Sequence, residues 1–163
     1  MMPARSVDSK LDPVLDFLRL LWDVEHRLQS ASKRMRTNLG ITGPQRLVLR
    51  IVSRSPGISA GELARIVRLH PSTITGIVQR LVDRRLLARD PDPRDSRRVR
   101  LLVRRQARPL TRKFEGTVEL AVQRALSRLT PAQITQAGKV LGEISSQLEQ
   151  SGTRRLRRRR RSG

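Results

Sequence analysis

The chain has 163 residues, 37% of them apolar, enough for one compact domain with a modest core. Aromatics are only 2% and cysteine is absent, which argues against base-stacking single-strand binders and excludes disulfides, thiolate zinc sites and cysteine redox sensing. The net charge of +21 calls for a polyanionic partner.

The opening residues, MMPARSVDSK, lack the apolar stretch of a signal peptide. No apolar run approaches the ~18 residues of a membrane helix. A cytoplasmic location, on the nucleoid, and no membrane partner are therefore expected.

Asp12-Pro13 has the pattern of an N-cap followed by proline at the first helical position, and it predicts a helix over 13–37. Leu18, Leu21, Val24 and Leu28 recur along it at helical spacing, with Trp22 beside them. Thr42-Gly43-Pro44-Gln45 and Ser59-Ala60-Gly61-Glu62 each fit a capping box. They predict a second helix over 43–54, with Leu47, Val48, Ile51 and Val52 inward. A third follows over 60–67, with Leu63, Ile66 and Val67 inward. Ser55-Pro56-Gly57 separates the two.

The stretch HPSTITGIVQR opens a fourth helix, expected to run to about Arg84. Its apolar residues Ile74, Ile77, Val78 and Leu81 mark one buried face. The opposite face carries Ser72, Thr73, Thr75, Gly76, Gln79 and Arg80. Those residues suit the edges of bases. Hydroxyls donate or accept, a threonine methyl meets a thymine methyl, Gln79 can pair with adenine, and Arg80 can bind guanine or a phosphate. Gly76 costs ~1 kcal/mol mid-helix and lets the backbone come close. His70 is a weaker N-cap than Ser, Asp or Asn.

The period then changes. Leu86–Arg89 and Arg98–Val103 read as two strands joined by the charged loop DPDPRDSRR, a β-hairpin. Arg94, Arg97 and Arg98 are expected at its tip or exit, where arginine suits a narrow minor groove. Asp95 is expected to orient Arg97 by a charge-assisted pair. Residues 42–106 carry fifteen basic and five acidic residues, so the charge excess concentrates here. Arginine outnumbers lysine 31 to 4, as codon bias in a GC-rich genome would produce. Such bias does not explain where the excess sits.

A fifth helix is predicted over 108–128, aligning Leu110, Phe114, Val118, Ala121 and Ala125. Thr130-Pro131-Ala132-Gln133 gives a third capping box and starts a sixth helix over 131–149. Ile134, Ala137, Leu141, Ile144 and Leu148 follow at 3, 4, 3, 4 spacing, an a/d seam. Such a seam can be intrachain core. The length of helices one, five and six relative to the middle segment favours a seam between chains, made by Ile134, Leu141, Ile144 and Leu148. The end, SGTRRLRRRRRSG, holds seven arginines and no acid; it is low in complexity and expected to be disordered.

The expected fold is thus mainly α with a small β-hairpin wing. A winged helix-turn-helix DNA-binding domain (42–104) sits beside a helical dimerisation region (12–38 and 107–150) and an Arg-rich tail (151–163). The fourth helix is the recognition helix of such a fold. The partners are double-stranded DNA and a second copy of the chain. An architectural DNA binder with little sequence preference, driven by charge, is the alternative. An RNA-associated basic protein is disfavoured by the scarcity of aromatics.

The chain resembles the MarR family of bacterial regulators in the stretches TGPQRLVLRIV, ISAGELARIVRLHPSTITGIVQRLVDRRLL and DPRDSRRVRL. The wing pattern Asp95-Ser96-Arg97 and the helix order over about 12–150 match as well. The resemblance implies a homodimer reading a pseudo-palindromic operator, usually a repressor released by a small-molecule effector. It implies an effector site between helices one, two and five, which Trp22 and His26 could line. Family members commonly have glycine after the recognition helix, where this chain has Arg85. The stretch Val103-Arg104 and Ala107 depart from the pattern after the wing, and the arginine tail lies outside it.

Other constellations are weak. Two histidines, His26 and His70, and no cysteine do not make a metal site, and no cofactor is expected. Ser30-Ala31-Ser32-Lys33 matches S-x-x-K without the partner motifs of acyl enzymes. No Gly-rich phosphate loop or nucleophile elbow occurs, so no enzyme is expected.

Overall fold

The computed structural model of the protein describes residues 12–112 and 115–159. The elements in order are α1 (Pro13–Leu39), α2 (Gly43–Arg54), α3 (Ala60–Val67), α4 (Pro71–Asp83), β1 (Leu87–Asp92), β2 (Asp95–Val103), two short 3-10 turns (Arg105–Ala107 and Pro109–Thr111), α5 (Val118–Leu126) and α6 (Pro131–Arg159). Two compact units part after Leu120.

In the first unit, each helix begins where side chains satisfy its free N–H groups. Asp12 Oδ1 accepts the Val14 N–H at 2.8 Å. Thr42 and Gln45 close a reciprocal capping box on α2, as Ser59 and Glu62 do on α3. Gly40 ends α1 at φ 71°, a left-handed position that suits glycine.

The core of this unit is built by α2, α3, α4 and the hairpin: Val48, Leu49, Val52, Leu63, Ile74, Val78, Leu81, Leu87 and Leu101 are buried. Each such side chain contributes roughly 1.5–3 kcal/mol by leaving water. The inward faces of α2 and α3 differ from expectation. Leu47 is 51% exposed and Leu49 is buried, because α2 packs on α1, α4, β2 and the second 3-10 turn, which widens its buried arc. On α3, Leu63 and Ala64 form the buried arc, and Ile66 lies outside it, exposed.

β1 and β2 pair antiparallel from Leu87↔Val103 to Asp92↔Asp95. The strands are longer than predicted, so the hairpin turns on Pro93-Arg94 alone. β2 also exchanges backbone bonds with the α2–α3 connection: Gly57 N–H donates to Leu101 O and Leu101 N–H to Ile58 O, both at 2.9 Å. These bonds hold the hairpin beside α3.

The predicted fifth helix over 108–128 does not form as one element. The carbonyls of Leu110 and Arg112 accept from the Arg46 guanidinium, and that of Thr111 from Arg50. Carbonyls taken by these side chains are drawn away from the i→i−4 ladder a helix needs. Pro109 and Gly116, at φ 72°, also interrupt the chain, and α5 starts only at Val118. Phe114, expected on that helix, lies outside the described residues. Arg46 is only 2% exposed and reaches Glu119 at 3.2 Å, while Arg50 meets the same carboxylate at 3.0 Å. Burial lowers the pKa of Arg46, and Glu119 opposes that shift. Val118 N–H donates to the Met35 sulfur at 3.3 Å, tying this connection to α1.

In the second unit, Thr130 and Gln133 cap α6 reciprocally. The helix runs on to Arg159, so residues 151–159 are helical where disorder was expected. Arginine is a strong helix former, and basic residues favour the negative end of the helix dipole. Residues 160–163 lie outside the described residues.

Candidate nucleic-acid interface

α4 buries Ile74, Ile77, Val78 and Leu81. Its outer face presents Ser72, Thr73, Thr75, Gln79 and Arg80 to solvent, with Gly76 half-buried among them. His70 caps the helix: its Nδ1 accepts the Ser72 N–H at 3.3 Å and lies 2.7 Å from the Ser72 hydroxyl. Thr75 Oγ1 donates to Pro71 O at 2.9 Å, a back-bond to the preceding turn. A Cβ placed on Gly76 would meet only the Arg80 guanidinium, at 3.8 Å, so internal packing does not demand glycine there.

Gln79 is held on both sides. Its Nε2 donates to Asp83 Oδ1 at 2.7 Å, and Arg89 Nη1 donates to its Oε1 at 2.7 Å. Arg80 makes no side-chain hydrogen bond or ion pair with the described residues and projects freely from the same face.

The wing differs from its sequence-based outline. Arg94 sits in the turn, while Asp95, Arg97 and Arg98 lie on β2. Asp95 does not orient Arg97 through its guanidinium; the bond that forms is to the main chain, Arg97 N–H to Asp95 Oδ1 at 3.0 Å. The short turn brings that N–H within reach of the carboxylate two residues back. Asp92 accepts the Arg94 N–H in the same way. The Arg94 and Arg97 guanidiniums are therefore uncommitted among the described residues.

Arg98 is committed. It pairs with Glu62, the closing residue of the α3 capping box. The Arg98 hydrogen bond, then those from the Ser59 N–H and hydroxyl, lower the Glu62 pKa to about 2, and Arg98 is raised in turn. Arg98 thus fastens the wing to α3. The spacing of charges along the loop gave no signal for this partner 36 residues away.

Trp22 and His26 stand exposed on α1, Trp22 at 64%. On α6, Leu141 and Leu148 are 54% and 69% exposed, and Ile134 and Ile144 are half-buried. Among the described residues no group of three or more metal-ligating side chains comes together, and no helix is long and apolar enough to cross a membrane.

Residues 39–98 match the model of the MarR family. The chain is 32% identical over 108 residues to the HTH-type transcriptional repressor Rv2887 of Mycobacterium tuberculosis, spanning 66% of this chain and 78% of that protein. The solved structure of Rv2887 in complex with salicylic acid covers 77% of this chain and 93% of its own, at 30% identity and a TM-score of 0.50. The Staphylococcus aureus MepR–DNA complex shares the fold, with a TM-score of 0.65 at 18% identity over 81% of this chain and 97% of MepR.

Proposed function

Because this chain belongs to the MarR family, we propose that it is a sequence-specific, ligand-responsive transcriptional repressor that binds double-stranded DNA as a homodimer. The observation that carries this reading is the split of α4 into a fully buried apolar face and a polar face open to solvent, together with the guanidiniums of Arg80, Arg94 and Arg97, which are uncommitted among the described residues.

Ser72, Thr73, Thr75, Gly76, Gln79 and Arg80 of each protomer enter a major groove, and two copies of α4 read half-sites about 34–36 Å apart. Arg94 and Arg97 reach the flanking minor grooves, whose potential attracts arginine. The exposed apolar residues of α1 and α6, among them Leu20, Leu141 and Leu148, support the dimerisation role of residues 12–38 and 107–150. Ile134, Leu141, Ile144 and Leu148 form the seam. The arginine-rich end adds phosphate contacts, and the protein resides on the nucleoid in the cytoplasm.

Rv2887 is solved with salicylic acid. An aromatic acid bound to this chain would use Trp22 for ring contact and His26 for its carboxylate. Calorimetry with salicylic acid tests this; equal heats from the wild type and Trp22→Ala would remove Trp22 from the site.

Footprinting of the promoter of the protein's own gene, with sedimentation of the complex, tests the main reading. Two protected segments one helical turn apart, bound by two chains, are expected. A single protected segment bound by one chain would refute the dimeric reader.

A further inference from the structure

We propose that Asp83 and Arg89 are positioning residues that fix the amide of Gln79 in one orientation and so narrow the base it reads. This inference rests on α4 being the DNA-reading helix.

The chemistry of the partners makes the orientation unambiguous. An ionised carboxylate only accepts hydrogen bonds and a guanidinium only donates them. The Gln79 oxygen must therefore face Arg89 and its nitrogen Asp83, as the two 2.7 Å bonds have them. A half-turn of the amide would lose both bonds and set like groups against each other. Both bonds are charge-assisted, the stronger kind. Asp83 stands one turn along the same helix, where glutamine and aspartate pair well. Arg89 arrives from β1, so the wing and the helix hold the side chain jointly.

Gln79 is not used up by these bonds. Its nitrogen keeps a second hydrogen and its oxygen a second lone pair. One donor beside one acceptor matches adenine, which offers N7 as acceptor and N6 as donor. Guanine offers two acceptors, N7 and O6. A glutamine free to turn could offer its NH2 to guanine O6. Held by Arg89 and Asp83, it sets its oxygen against O6 instead. The pair of partners thus selects adenine over guanine, and all three residues are exposed to solvent, so the arrangement lies at the surface.

The test is selection of binding sites from a random duplex library, with the full chain as wild type, Gln79→Ala, Asp83→Ala, Arg89→Met and Arg89→Lys. The wild type is expected to show one adenine per half-site that becomes degenerate in Gln79→Ala. Asp83→Ala and Arg89→Met should lower the adenine-to-guanine ratio at that position by about tenfold, within the range a bidentate contact supplies. They should leave the other positions unchanged. Arg89→Lys keeps a donor and should retain most of the preference. A purely structural network would lower affinity alike on all sites and leave the ratio intact, and that result overturns the proposal. A motif with no position sensitive to Gln79→Ala overturns it too, while leaving the regulator reading in place. Recovery of no motif at all defeats both.

Discussion

Arg98 on β2 forms an ion pair with Glu62, which at the same time closes the N-terminal capping box of α3. One carboxylate therefore joins the wing to the helix that packs under α4. The helix-turn-helix and the wing are coupled at this point through a group that titrates in acid.

The first expectation concerns pH. The pKa of Glu62 is lowered from 4.5 to about 2 in the folded chain. A carboxyl with a lowered folded pKa contributes stability that is complete above its unfolded pKa and is lost as pH falls through the folded one. The contribution of Glu62 should therefore hold above about pH 4.5 and fade towards pH 2. Thermal melts of the wild type and Glu62→Gln should converge as pH drops through this window. Curves that stay parallel from pH 7 to 2 would exclude the coupling.

Arg85 holds a left-handed backbone at φ 56° after α4. An L side chain there costs roughly 1–2 kcal/mol, and glycine avoids it while gaining freedom in the unfolded chain. Arg85→Gly should raise stability by about 0.5–1 kcal/mol in urea unfolding, and Arg85→Val should lower it. A destabilised glycine variant would show that the Arg85 side chain compensates its own strain.

Arg46 is buried and serves two carbonyls and Glu119. Arg46→Met keeps much of the volume and leaves the Leu110 and Arg112 carbonyls without this donor, while Arg50 still holds Glu119. The expected cost is about 2–4 kcal/mol, discounted for the half-exposed carboxylate. Arg50→Met should cost less, because Arg50 serves one carbonyl rather than two and is less buried than Arg46. Denaturant midpoints equal to the wild type for Arg46→Met would remove the clamp from the fold's energetics.

The arginines of the wing should separate into two kinds. Arg94→Ala and Arg97→Ala should weaken DNA binding about equally on all sequences and each reduce the salt dependence by about one unit of slope. Arg98→Ala should instead lower thermal stability before DNA is added, because its guanidinium is engaged by Glu62. A wild-type melting temperature for Arg98→Ala would contradict this division.

The helix starts were legible because their signals are local. Thr42 with Gln45, Ser59 with Glu62 and Thr130 with Gln133 lie three residues apart, and all three caps form. The buried face of α4 was legible for the same reason, since four apolar residues at helical spacing leave one side to bury. The start of α5 was not legible. It depends on Arg46 and Arg50 capturing carbonyls more than sixty residues away, which no local period encodes. The same holds within the candidate interface. Asp83 follows Gln79 at a readable spacing, whereas Arg89 joins it only through the path of the hairpin. Arg98 carried the same local signal as Arg97, and only the fold shows that Glu62 engages it.

The central claim, sequence-specific recognition of DNA by α4, is tested most directly by one titration. Promoter DNA from upstream of the protein's own gene is compared with scrambled DNA of equal length at several salt concentrations, using the full chain and a chain ending at Gln150. The promoter should bind about a thousandfold more tightly, as specific sites do. The shortened chain should keep that ratio while losing several units of salt slope, since it lacks the seven arginines that follow Gln150. Equal affinity for both DNAs, lost on shortening, would contradict the claim and leave a charge-driven DNA coater.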